Sequence, residues 1–496
     1  MYFKQKSNVI FRNYETFGYI TDNRNFRYKQ THNNENDIGD KIISESGAVF
    51  LSVLGRAPKT IDELAIKINK QFADVDITTI KNDALEFYCM LERDGFIVTG
   101  ETIKECNEKD TRFSYSTLES GLERNISTTT LPEKSTQDFL EEYFKGKPQL
   151  TNLHIEIISK CNERCIHCYI PHDYKVSYIE PGLFYDLLEQ CKNMRLLHLT
   201  LSGGEPMLHK NFCDFLKKCR EYDFSVNVLS NLTLLNDDII NELKMNPLLG
   251  VQVSLYSMDS NIHDEITQMK GSFEITKNAI LKLIETDIPL QISCPIMKQN
   301  KNCYEDVITW ARRHKIHAGD DYGLIARYNH TTQNLSCRLS IDEIKEVINN
   351  KITNDVKYLD QIEIEAEKKK NTTTNDSVCS VCHSSICIGD NGNVYPCAGW
   401  QDYVVGNVKE NSLNDIWDNS EKVQYLRSLR NKDFPECIQC QDKEYCTMCM
   451  VKNANENSTG DPLVVNAFFC NIAKLNRQIM LEQKEKLYLD KTDLTV

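Results

Sequence analysis

Apolar and polar positions between residues 149 and 335 follow two alternating rhythms, and each rhythm predicts a different element. Short runs with a period of two predict strands at LHIEIIS, LLHLTLS, SVNVLS, GVQVSLY, LQISC and GLIAR. Stretches with apolar residues on one helical face lie between them, at GLFYDLLEQCKNM, NFCDFLKKCREY, DDIINELKM, FEITKNAILKLIE and CYEDVITWARRH. Strands and helices in alternation predict an α/β fold with a parallel sheet, either open or curled as a partial (β/α)6 barrel. Ligands of such sheets gather at the carboxyl ends of the strands.

Residues 1–105 have a shorter and more mixed pattern. VIFRNY and FGYITDNRNFRY predict strands, and SGAVFLSVL, TIDELAIKINKQF and TTIKNDALEFYCMLERDG predict three helices. The second helix is expected to begin with a capping box formed by Thr60 and Glu63, and the third to end before Gly95. Strands followed by three helices predict a winged helix-turn-helix unit. Its last helix carries more acidic than basic side chains, which disfavours contact with DNA phosphates.

Three further segments complete the predicted organisation. Residues 106–148 are polar and predict a linker with one short helix at QDFLEEYF. Residues 336–376 predict a helical bridge that opens with a capping box, Ser340 with Glu343, and ends in a hinge at EKKKNTTTND. Residues 377–496 are turn-rich and dense in cysteine.

Composition narrows the class of protein. The chain has 496 residues, of which 58 are basic and 72 acidic, and this balance argues against nucleic acid as the main partner. We expect no membrane span and no secretion signal, and therefore a cytoplasmic protein, because no long apolar run and no signal-peptide pattern appear. Twenty cysteines in a reducing compartment indicate metal binding more than disulfides.

The first cysteine motif follows the first predicted strand of the barrel. Cys161, Cys165 and Cys168 have C-x3-C-x2-C spacing. Three thiolates on one loop can hold three corners of a four-iron cluster and leave the fourth iron open. A zinc loop is the alternative, with His167 or His172 as a fourth ligand.

The second motif ends the next predicted strand, at Ser202-Gly203-Gly204-Glu205-Pro206. Its glycines allow close approach of the backbone to a ligand, and its carboxylate can hold an ammonium group. C-x3-C-x2-C followed one strand later by GGEP resembles the radical S-adenosylmethionine enzymes. The resemblance covers about residues 150–330.

This resemblance implies roles for particular positions. Cys161, Cys165 and Cys168 would hold a 4Fe–4S cluster whose open iron binds S-adenosylmethionine. His167 would lie near the adenine, and Gly203, Gly204 and Glu205 would meet the methionine ammonium. Further contacts to the ribose and adenine are implied at strand ends, at Ser230, Asn231, Ser254 and the edge Ile292–Pro295. The alternative for these last residues is that they are ordinary polar residues of strand ends.

The cysteines after residue 378 form a third constellation. The hairpin ICIGDNGNVYPC, with Asn391-Gly392 in its turn, and the run C-x2-C-x5-C-x2-C resemble the SPASM domain, which carries two auxiliary clusters. By that resemblance the nearer cluster takes Cys379, Cys397, Cys449 and either Cys382 or Cys387. We favour Cys382, because a small buried thiol is a sufficient explanation for Cys387 in a strand. The farther cluster takes Cys437, Cys440, Cys446 and Cys470.

The two resemblances together imply a function. Relatives with both domains act on peptides and proteins, which predicts an oxidoreductase that modifies a ribosomally made precursor peptide through hydrogen abstraction by a 5′-deoxyadenosyl radical. The expected product is a thioether between a cysteine sulfur and a carbon. The N-terminal unit resembles the element that recognises leader peptides in such enzymes, and flavodoxin or ferredoxin is the expected electron donor.

Two alternatives remain at this stage. The first is an enzyme that oxidises proteins, such as an anaerobic sulfatase maturase. Those relatives carry Asp directly after the cysteine that matches Cys397, where this chain has Ala398. The second is a non-enzymatic, zinc-dependent regulator that uses the N-terminal unit.

Overall fold

The computed structural model of the chain describes residues 1–23, 39–72, 74–110, 136–355 and 358–493. Part of the predicted strand FGYITDNRNFRY, at residues 24–28, lies outside the described residues. Residues 111–135 of the predicted linker also lie outside them. The predicted short helix of the linker is present as Thr136–Tyr143.

The N-terminal unit combines short strands with helices. Its strands are β1 (Tyr2–Gln5), β2 (Ile10–Asn13), β3 (Phe17–Thr21), β4 (Asp40–Ser44), β5 (Lys59–Thr60) and β6 (Ile97–Gly100). Its helices are α1 (Glu45–Leu54), α2 (Ile61–Asn69), α3 (Ile77–Arg93) and α4 (Ile103–Lys109), and the linker helix is α5. In the described chain the strands form two three-stranded sheets, in the orders β5-β1-β6 and β2-β3-β4. The predicted capping box of Thr60 and Glu63 is confirmed. The winged helix-turn-helix arrangement remains a prediction.

The central unit alternates strands and helices as predicted. Its strands are β7 (Asn152–Ile158), β8 (His198–Gly203), β9 (Ser225–Leu229), β10 (Leu248–Ser254), β11 (Leu290–Pro295) and β12 (His317–Asp321). Its helices are α6 (Pro181–Asn193), α7 (Phe212–Glu221), α8 (Asp237–Met245), α9 (Ser260–Thr267), α10 (Ser272–Glu285) and α11 (Tyr304–Arg313). Neighbouring strands from β7 to β12 are parallel. The α/β fold with a partial barrel-like sheet is therefore confirmed.

The two faces of this sheet differ in polarity. Residues Leu153, Ile155, Leu199, Leu201, Val226, Val228, Val251 and Val253 belong to the main hydrophobic core, beneath the helices. Side chains of a strand alternate between its faces, so the positions between these residues lie on the opposite face. That face is lined by polar residues, including His154, Glu156, Thr200, Ser202, Asn227, Gln252, Ser254, Gln291 and Ser293. We call it the polar face.

The sixth strand was predicted in the wrong place. GLIAR, at residues 323–327, is not a strand, and the sixth strand is instead β12, which pairs with β11 at the edge of the sheet. The carbonyl groups of Ile325 and Ala326 accept hydrogen bonds from the side-chain amides of Asn334 and Asn455, at 2.9 and 3.1 Å. Side-chain amides thus supply the hydrogen bonds that these backbone carbonyl groups would otherwise accept from a neighbouring strand.

Two helices and the C-terminal domain follow. The helices are α12 (Ile341–Asn354), with the predicted capping box of Ser340 and Glu343, and α13 (Tyr358–Lys370). The C-terminal strands are β13 (Ser385–Ile388), β14 (Asn393–Tyr395) and β15 (Gly406–Asn407). The helices there are α14 (Leu413–Asn419), α15 (Glu421–Ser428), α16 (Pro435–Ile438), α17 (Met450–Asn455) and α18 (Ala467–Asp493).

The C-terminal hairpin extends the central sheet. β13 pairs with β7 in parallel, and β14 and β15 continue the sheet beyond it in antiparallel pairs. The order within the described residues is β12-β11-β10-β9-β8-β7-β13-β14-β15. Among the described helices, none has both the length and the apolar content needed to cross a membrane.

Candidate metal and cofactor site

The three cysteines of the first motif lie on the loop that follows β7. Cys161, Cys165 and Cys168 are all half-buried. Burial raises the pKa of the Cys161 thiol to about 11. Burial also raises the pKa of Cys165 well above its usual value, with further contributions from Glu163, Cys168 and Cys161. Three thiol sulfur atoms on one loop, partly shielded from water, are a donor set that fits a 4Fe–4S cluster bound through three corners.

Backbone hydrogen bonds hold this loop against its neighbours. The Arg164 and Ile166 amides donate to the carbonyl groups at the end of α9, Thr267 and Ile266, each at 3.0 Å. At the start of the loop, the Ser159 amide donates to Asp390 of the C-terminal hairpin at 2.8 Å. The loop is therefore anchored on the barrel side and on the C-terminal side.

The glycines of the second motif allow two strand ends to approach each other. A Cβ atom at Gly203 would overlap the Ile158 carbonyl oxygen, and one at Gly204 would overlap that of Lys160. The Gly204 amide donates to the Ile158 carbonyl at 2.7 Å, and the Glu205 amide to that of Lys160 at 2.9 Å. The glycines thus place the GGEP segment directly against the start of the cysteine loop.

Glu205 connects the ends of two strands. Its side chain is fully buried and accepts hydrogen bonds from the Ser230 hydroxyl at 2.8 Å, the Asn231 amide at 2.8 Å and the Met207 amide at 3.0 Å. Burial raises the pKa of Glu205 to about 7, although these hydrogen bonds act in the opposite direction. The structure therefore brings together three residues that the sequence proposed separately: Glu205, Ser230 and Asn231.

Asn231 also contacts the cysteine loop. Its side-chain amide donates to Asn162 Oδ1 at 3.0 Å, and Asn162 in turn donates to Thr233 Oγ1 at 2.7 Å. Asn162 follows Cys161 directly, so this chain of hydrogen bonds joins the end of β9 to the first cysteine. The sequence analysis did not identify Asn162, because an asparagine within a loop carries no signal of its own.

His167 lies on the inner side of the loop beside Tyr256. Its Nε2 atom is 2.9 Å from the Tyr256 hydroxyl, and the two rings meet edge to face. Burial lowers the pKa of His167 to about 4, so the ring is neutral near pH 7. Tyr256 is a second residue that the sequence analysis missed.

The remaining predicted contacts stand on β10 and β11. Ser254 and Ser293 are register neighbours on the polar face, and both are half-buried. Ile292 and Cys294 face the core instead. Within the edge Ile292–Pro295, Ser293 therefore lies on the polar face. This is also the face on which β7, the strand before the cysteine loop, has its polar residues.

The nearer auxiliary set is assembled from three parts of the C-terminal domain. The charges of Cys379 and Cys449 both raise the pKa of the Cys397 thiol, after burial as the main cause, which shows that the three thiols lie close together. The Gly399 and Ala398 amides donate to the Cys397 sulfur and act in the opposite direction. The two candidates for the fourth ligand lie on different sides of these three thiols. Cys382 lies next to Cys379, and Cys387 lies next to Cys397.

Their backbone positions differ as well. Cys382 is buried in a turn with φ of 60°, and its carbonyl accepts a hydrogen bond from Arg427 at 2.7 Å. Cys387 is buried within β13, beside His154 of β7 in the sheet register. Cys387 therefore lies on the polar face of the barrel.

The farther auxiliary set is compact. Burial raises the pKa of Cys437 to about 11, and the nearby Cys446, Cys470 and Cys440 thiols raise it further. The Lys369 ammonium group donates to the Cys446 carbonyl at 2.6 Å and places a positive charge beside this set. Four clustered thiols are a donor set that fits a closed cluster.

The other cysteines are placed mainly in the core. Cys106, Cys191, Cys219, Cys294 and Cys337 are buried, and Cys89, Cys213 and Cys303 are half-buried. None of these eight positions belongs to the three sets described above. Their distribution agrees with the packing role expected of small apolar residues.

Comparison with known families supports the two domain assignments. Residues 155–311 match the model of the Radical SAM superfamily, and residues 379–442 match SPASM, an iron–sulfur cluster-binding domain. These matches favour iron–sulfur clusters over the zinc alternative. S-adenosylmethionine and iron–sulfur clusters are therefore the cofactors of this chain.

Individual relatives show how far the similarity extends. The chain is 25% identical to a tungsten-containing aldehyde ferredoxin oxidoreductase cofactor-modifying protein of Pyrococcus furiosus, over 63% of this chain and 94% of that protein. It is 26% identical to the antilisterial bacteriocin subtilosin biosynthesis protein AlbA of Bacillus subtilis, over 61% of this chain and 67% of that protein. The crystal structure of Streptococcus suis SuiB bound to the precursor peptide SuiA covers 95% of this chain and 100% of that one, with a TM-score of 0.57 and 16% identity. The SuiB likeness shows the fold.

Proposed function

We propose that this chain, which carries a Radical SAM domain and an SPASM domain, modifies a ribosomally synthesised precursor peptide. The product we propose is a thioether crosslink between a cysteine sulfur and a carbon of another residue. The observation that carries this proposal is the presence of three thiol sets in one chain, the first on the loop after β7 and the other two in the C-terminal domain whose hairpin extends the same sheet. Similarity to the subtilosin biosynthesis protein supports a peptide as the substrate.

The residues of the first set would hold the barrel cluster. Cys161, Cys165 and Cys168 would bind three irons, and Glu205 would receive the ammonium group of S-adenosylmethionine. When bound, this pair supplies a one-electron cleavage that removes a hydrogen atom from an unactivated carbon. The chain's own contribution is to position the substrate on the polar face and to exclude water there.

The two C-terminal sets would hold auxiliary clusters, which would supply an acceptor for the electron that remains on the substrate. We propose Cys379, Cys382, Cys397 and Cys449 as ligands of the nearer cluster, and Cys437, Cys440, Cys446 and Cys470 as ligands of the farther one. An external donor such as flavodoxin or ferredoxin would supply the reducing electron. We place this reaction in the cytoplasm, as an oxidoreductase reaction without nucleic acid or membrane as partner.

We propose that residues 1–105 bind the leader of the precursor peptide. Strand β4 pairs with β3 on one side, and among the described residues no strand pairs with its other side. An extended peptide can add to such an edge through backbone hydrogen bonds. The acidic α3 would not favour nucleic acid at this surface.

Anaerobic reconstitution tests the proposal. The holoenzyme is incubated with S-adenosylmethionine, a reductant and a cysteine-containing peptide encoded beside the gene, and the peptide is examined by tandem mass spectrometry. We expect loss of two hydrogens for each link, missing fragment ions between the linked residues, and 5′-deoxyadenosine as coproduct. Unchanged peptide mass would contradict the crosslinking proposal for that peptide.

The matched variants are two cysteine substitutions. Cys165→Ala should lose about four irons and all cleavage of S-adenosylmethionine, because one corner of the cluster is removed. Cys213→Ser changes a half-buried thiol of α7 outside the three sets and should retain both. Equal iron content in the two variants would contradict the assignment of Cys165.

A further inference from the structure

Glu156 is a buried carboxyl group on the polar face that the proposed cofactor contacts do not use. It lies on β7 and is only 4% exposed. Its Oε1 atom accepts a hydrogen bond from the Tyr169 hydroxyl at 3.3 Å, and its Oε2 atom accepts one from the Gln401 amide at 2.7 Å. Neither donor carries a positive charge, so burial of this group is not offset by an ion pair with either of them.

The two donors come from the two cysteine-bearing segments. Tyr169 follows Cys168 directly, and Gln401 lies four residues after Cys397. Gln401 also donates to the Ala398 carbonyl at 3.0 Å, which fixes its side-chain amide between Glu156 and the segment that carries the nearer auxiliary set. The carboxyl group is therefore held between the proposed site of hydrogen abstraction and the proposed electron acceptor.

The surroundings of Glu156 hold further reactive side chains. Ligand atoms of His154, Glu156 and Cys387 all lie within 4.8 Å of one another. His154 also pairs with the Ser202 hydroxyl across β7 and β8. The titratable groups that face Glu156 from its own strand and from neighbouring segments are His154, Cys387, Tyr169, Tyr328, Tyr395 and Asp390.

The chemistry of this position suits proton transfer. Burial raises the pKa of Glu156 to about 7, and the two hydrogen bonds lower it in part. A carboxyl group of this kind can exist in either protonation state near neutral pH, which is what a general base requires.

We propose that the Glu156 carboxylate accepts the proton of the substrate group that forms the new bond on the polar face. This inference rests on the proposed function. For a thioether, the substrate thiol gives its proton to Glu156, and the substrate C–H gives a hydrogen atom to the deoxyadenosyl group supplied by S-adenosylmethionine. The remaining electron passes to an oxidised iron–sulfur cluster as the carbon–sulfur bond forms. One proton, one hydrogen atom and one electron account for the two hydrogens lost.

The first test separates proton transfer from hydrogen abstraction. Reconstituted Glu156→Gln enzyme is compared with wild type for two quantities, 5′-deoxyadenosine formed and crosslinked peptide formed. We expect 5′-deoxyadenosine to stay within about twofold, while crosslinked peptide falls about 100-fold or more, the usual effect of losing a general base. Loss of both quantities together, or loss of neither, would overturn the proposal, because a merely structural role moves them in parallel.

Two variants serve as controls. Glu156→Asp keeps a carboxylate and should restore part of the crosslinking that Glu156→Gln loses. Cys213→Ser changes a half-buried thiol of α7 outside the three sets, and the ratio of crosslink to 5′-deoxyadenosine should stay at the wild-type value. A Glu156→Asp variant as uncoupled as Glu156→Gln, together with an uncoupled Cys213→Ser, would overturn the proposal, because the effect would then follow from packing.

The second test does not depend on turnover or on the natural peptide. Infrared spectra of wild-type and Glu156→Gln holoenzyme are recorded between about pH 5 and pH 9, a range that includes the pKa of about 7 of the Glu156 carboxyl group. We expect a protonated-carboxyl band in wild type that is missing in Glu156→Gln and that disappears as the pH rises to about 9. A band that persists at pH 9, or no difference between wild type and Glu156→Gln at any pH, overturns the proposal, because Glu156 would then not exchange a proton near neutral pH. A titrating band without any crosslinked peptide would refute the proposed function alone.

Discussion

The carboxyl group of Glu205 is fully buried, yet it accepts three hydrogen bonds from the chain itself. Burial raises its pKa to about 7. The folded pKa is thus higher than that of an exposed glutamate, and the carboxylate form increases as pH rises from 6 to 8. A carboxylate attracts the ammonium group of S-adenosylmethionine, and the protonated form does not.

We therefore expect the affinity of the unreduced holoenzyme for S-adenosylmethionine to increase with pH over this range. Glu205→Gln should bind about tenfold more weakly at pH 8 and show little pH dependence, since a hydrogen bond to a charged group contributes about 1.5–3 kcal/mol. Equilibrium binding at several pH values measures both effects. Glu221→Gln, at an exposed side chain that ends α7, is the control and should keep the wild-type slope. A wild-type affinity that does not change with pH would contradict this assignment of Glu205.

Sequence identified the cysteines more readily than the residues around them. Cys161, Cys165 and Cys168 are close in the chain, so their spacing is visible without a structure. Glu156 and Tyr256 have no such spacing, because their partners are brought together by strand pairing and by the path of loops. The sheet register decides which buried polar residue of a strand faces a ligand. That register cannot be read from the sequence alone.

The hairpin of β13 and β14 depends on one glycine in its turn. Gly392 has φ of 87°, and a Cβ atom there would also lie 3.2 Å from Asn407 Oδ1 and from carbons of Lys409. A residue with a Cβ atom rarely adopts a φ in this range, because the conformation costs free energy. The turn positions both strands that link the C-terminal domain to the sheet.

Gly392→Ala should lower the free energy of unfolding by about 1–2 kcal/mol. Gly182→Ala is a matched control, because it lies near the start of α6 and its Cβ would meet no described atom within 4 Å. That change should be neutral or stabilising by up to about 1 kcal/mol. Denaturant unfolding of the two variants provides the comparison, and equal destabilisation would contradict this account of the turn.

Element boundaries were predicted well where the pattern was strong and failed at the sheet edge. The strands β7 to β11 contain alternating or continuous apolar runs. The sixth strand, HAGDD, contains almost none, because it is an edge strand whose residues are exposed or half-buried. The apolar run GLIAR was more strand-like in composition, but side-chain amides rather than a neighbouring strand satisfy its backbone.

The N-terminal unit docks on the barrel through polar and apolar contacts. The Asp223 carboxylate accepts the Phe11 amide at 3.1 Å and pairs with Arg56, and its backbone carbonyl accepts Arg12 at 2.7 Å. Burial lowers the pKa of Arg12, and Asp223 raises it. An apolar cluster lies beside these contacts, with Tyr14 and Phe17 of the N-terminal unit packed with Leu197 of the barrel.

Asp223→Asn should loosen this docking by about 1–3 kcal/mol, because it removes the negative charge that faces a nearly buried arginine. Asparagine tolerates the left-handed backbone at this position, where φ is 63°. Faster hydrogen exchange in β2 and β3 would report the loosening. Asp214→Asn, which removes an exposed pair with Lys217, should have almost no effect. Identical exchange rates in both variants would contradict the role of Asp223.

Long-range pairing is the part of the molecule that the sequence did not reveal. β13 pairs with β7 although the two strands are separated by more than 200 positions in the chain. Nothing in the sequence of the hairpin identifies β7 as the strand with which it pairs. The domain order was visible from the motifs. The shared sheet was not, since register between distant strands depends on packing that only the folded chain defines.

Parallel pairing of β7 with β13 makes the strand before the first cysteine set and the strand between Cys382 and Cys397 neighbours in one sheet. A ladder of backbone hydrogen bonds, and not a flexible tether, therefore joins these two cysteine-bearing segments. We expect the spacing between the two segments to be the same whether the enzyme is empty or holds its peptide.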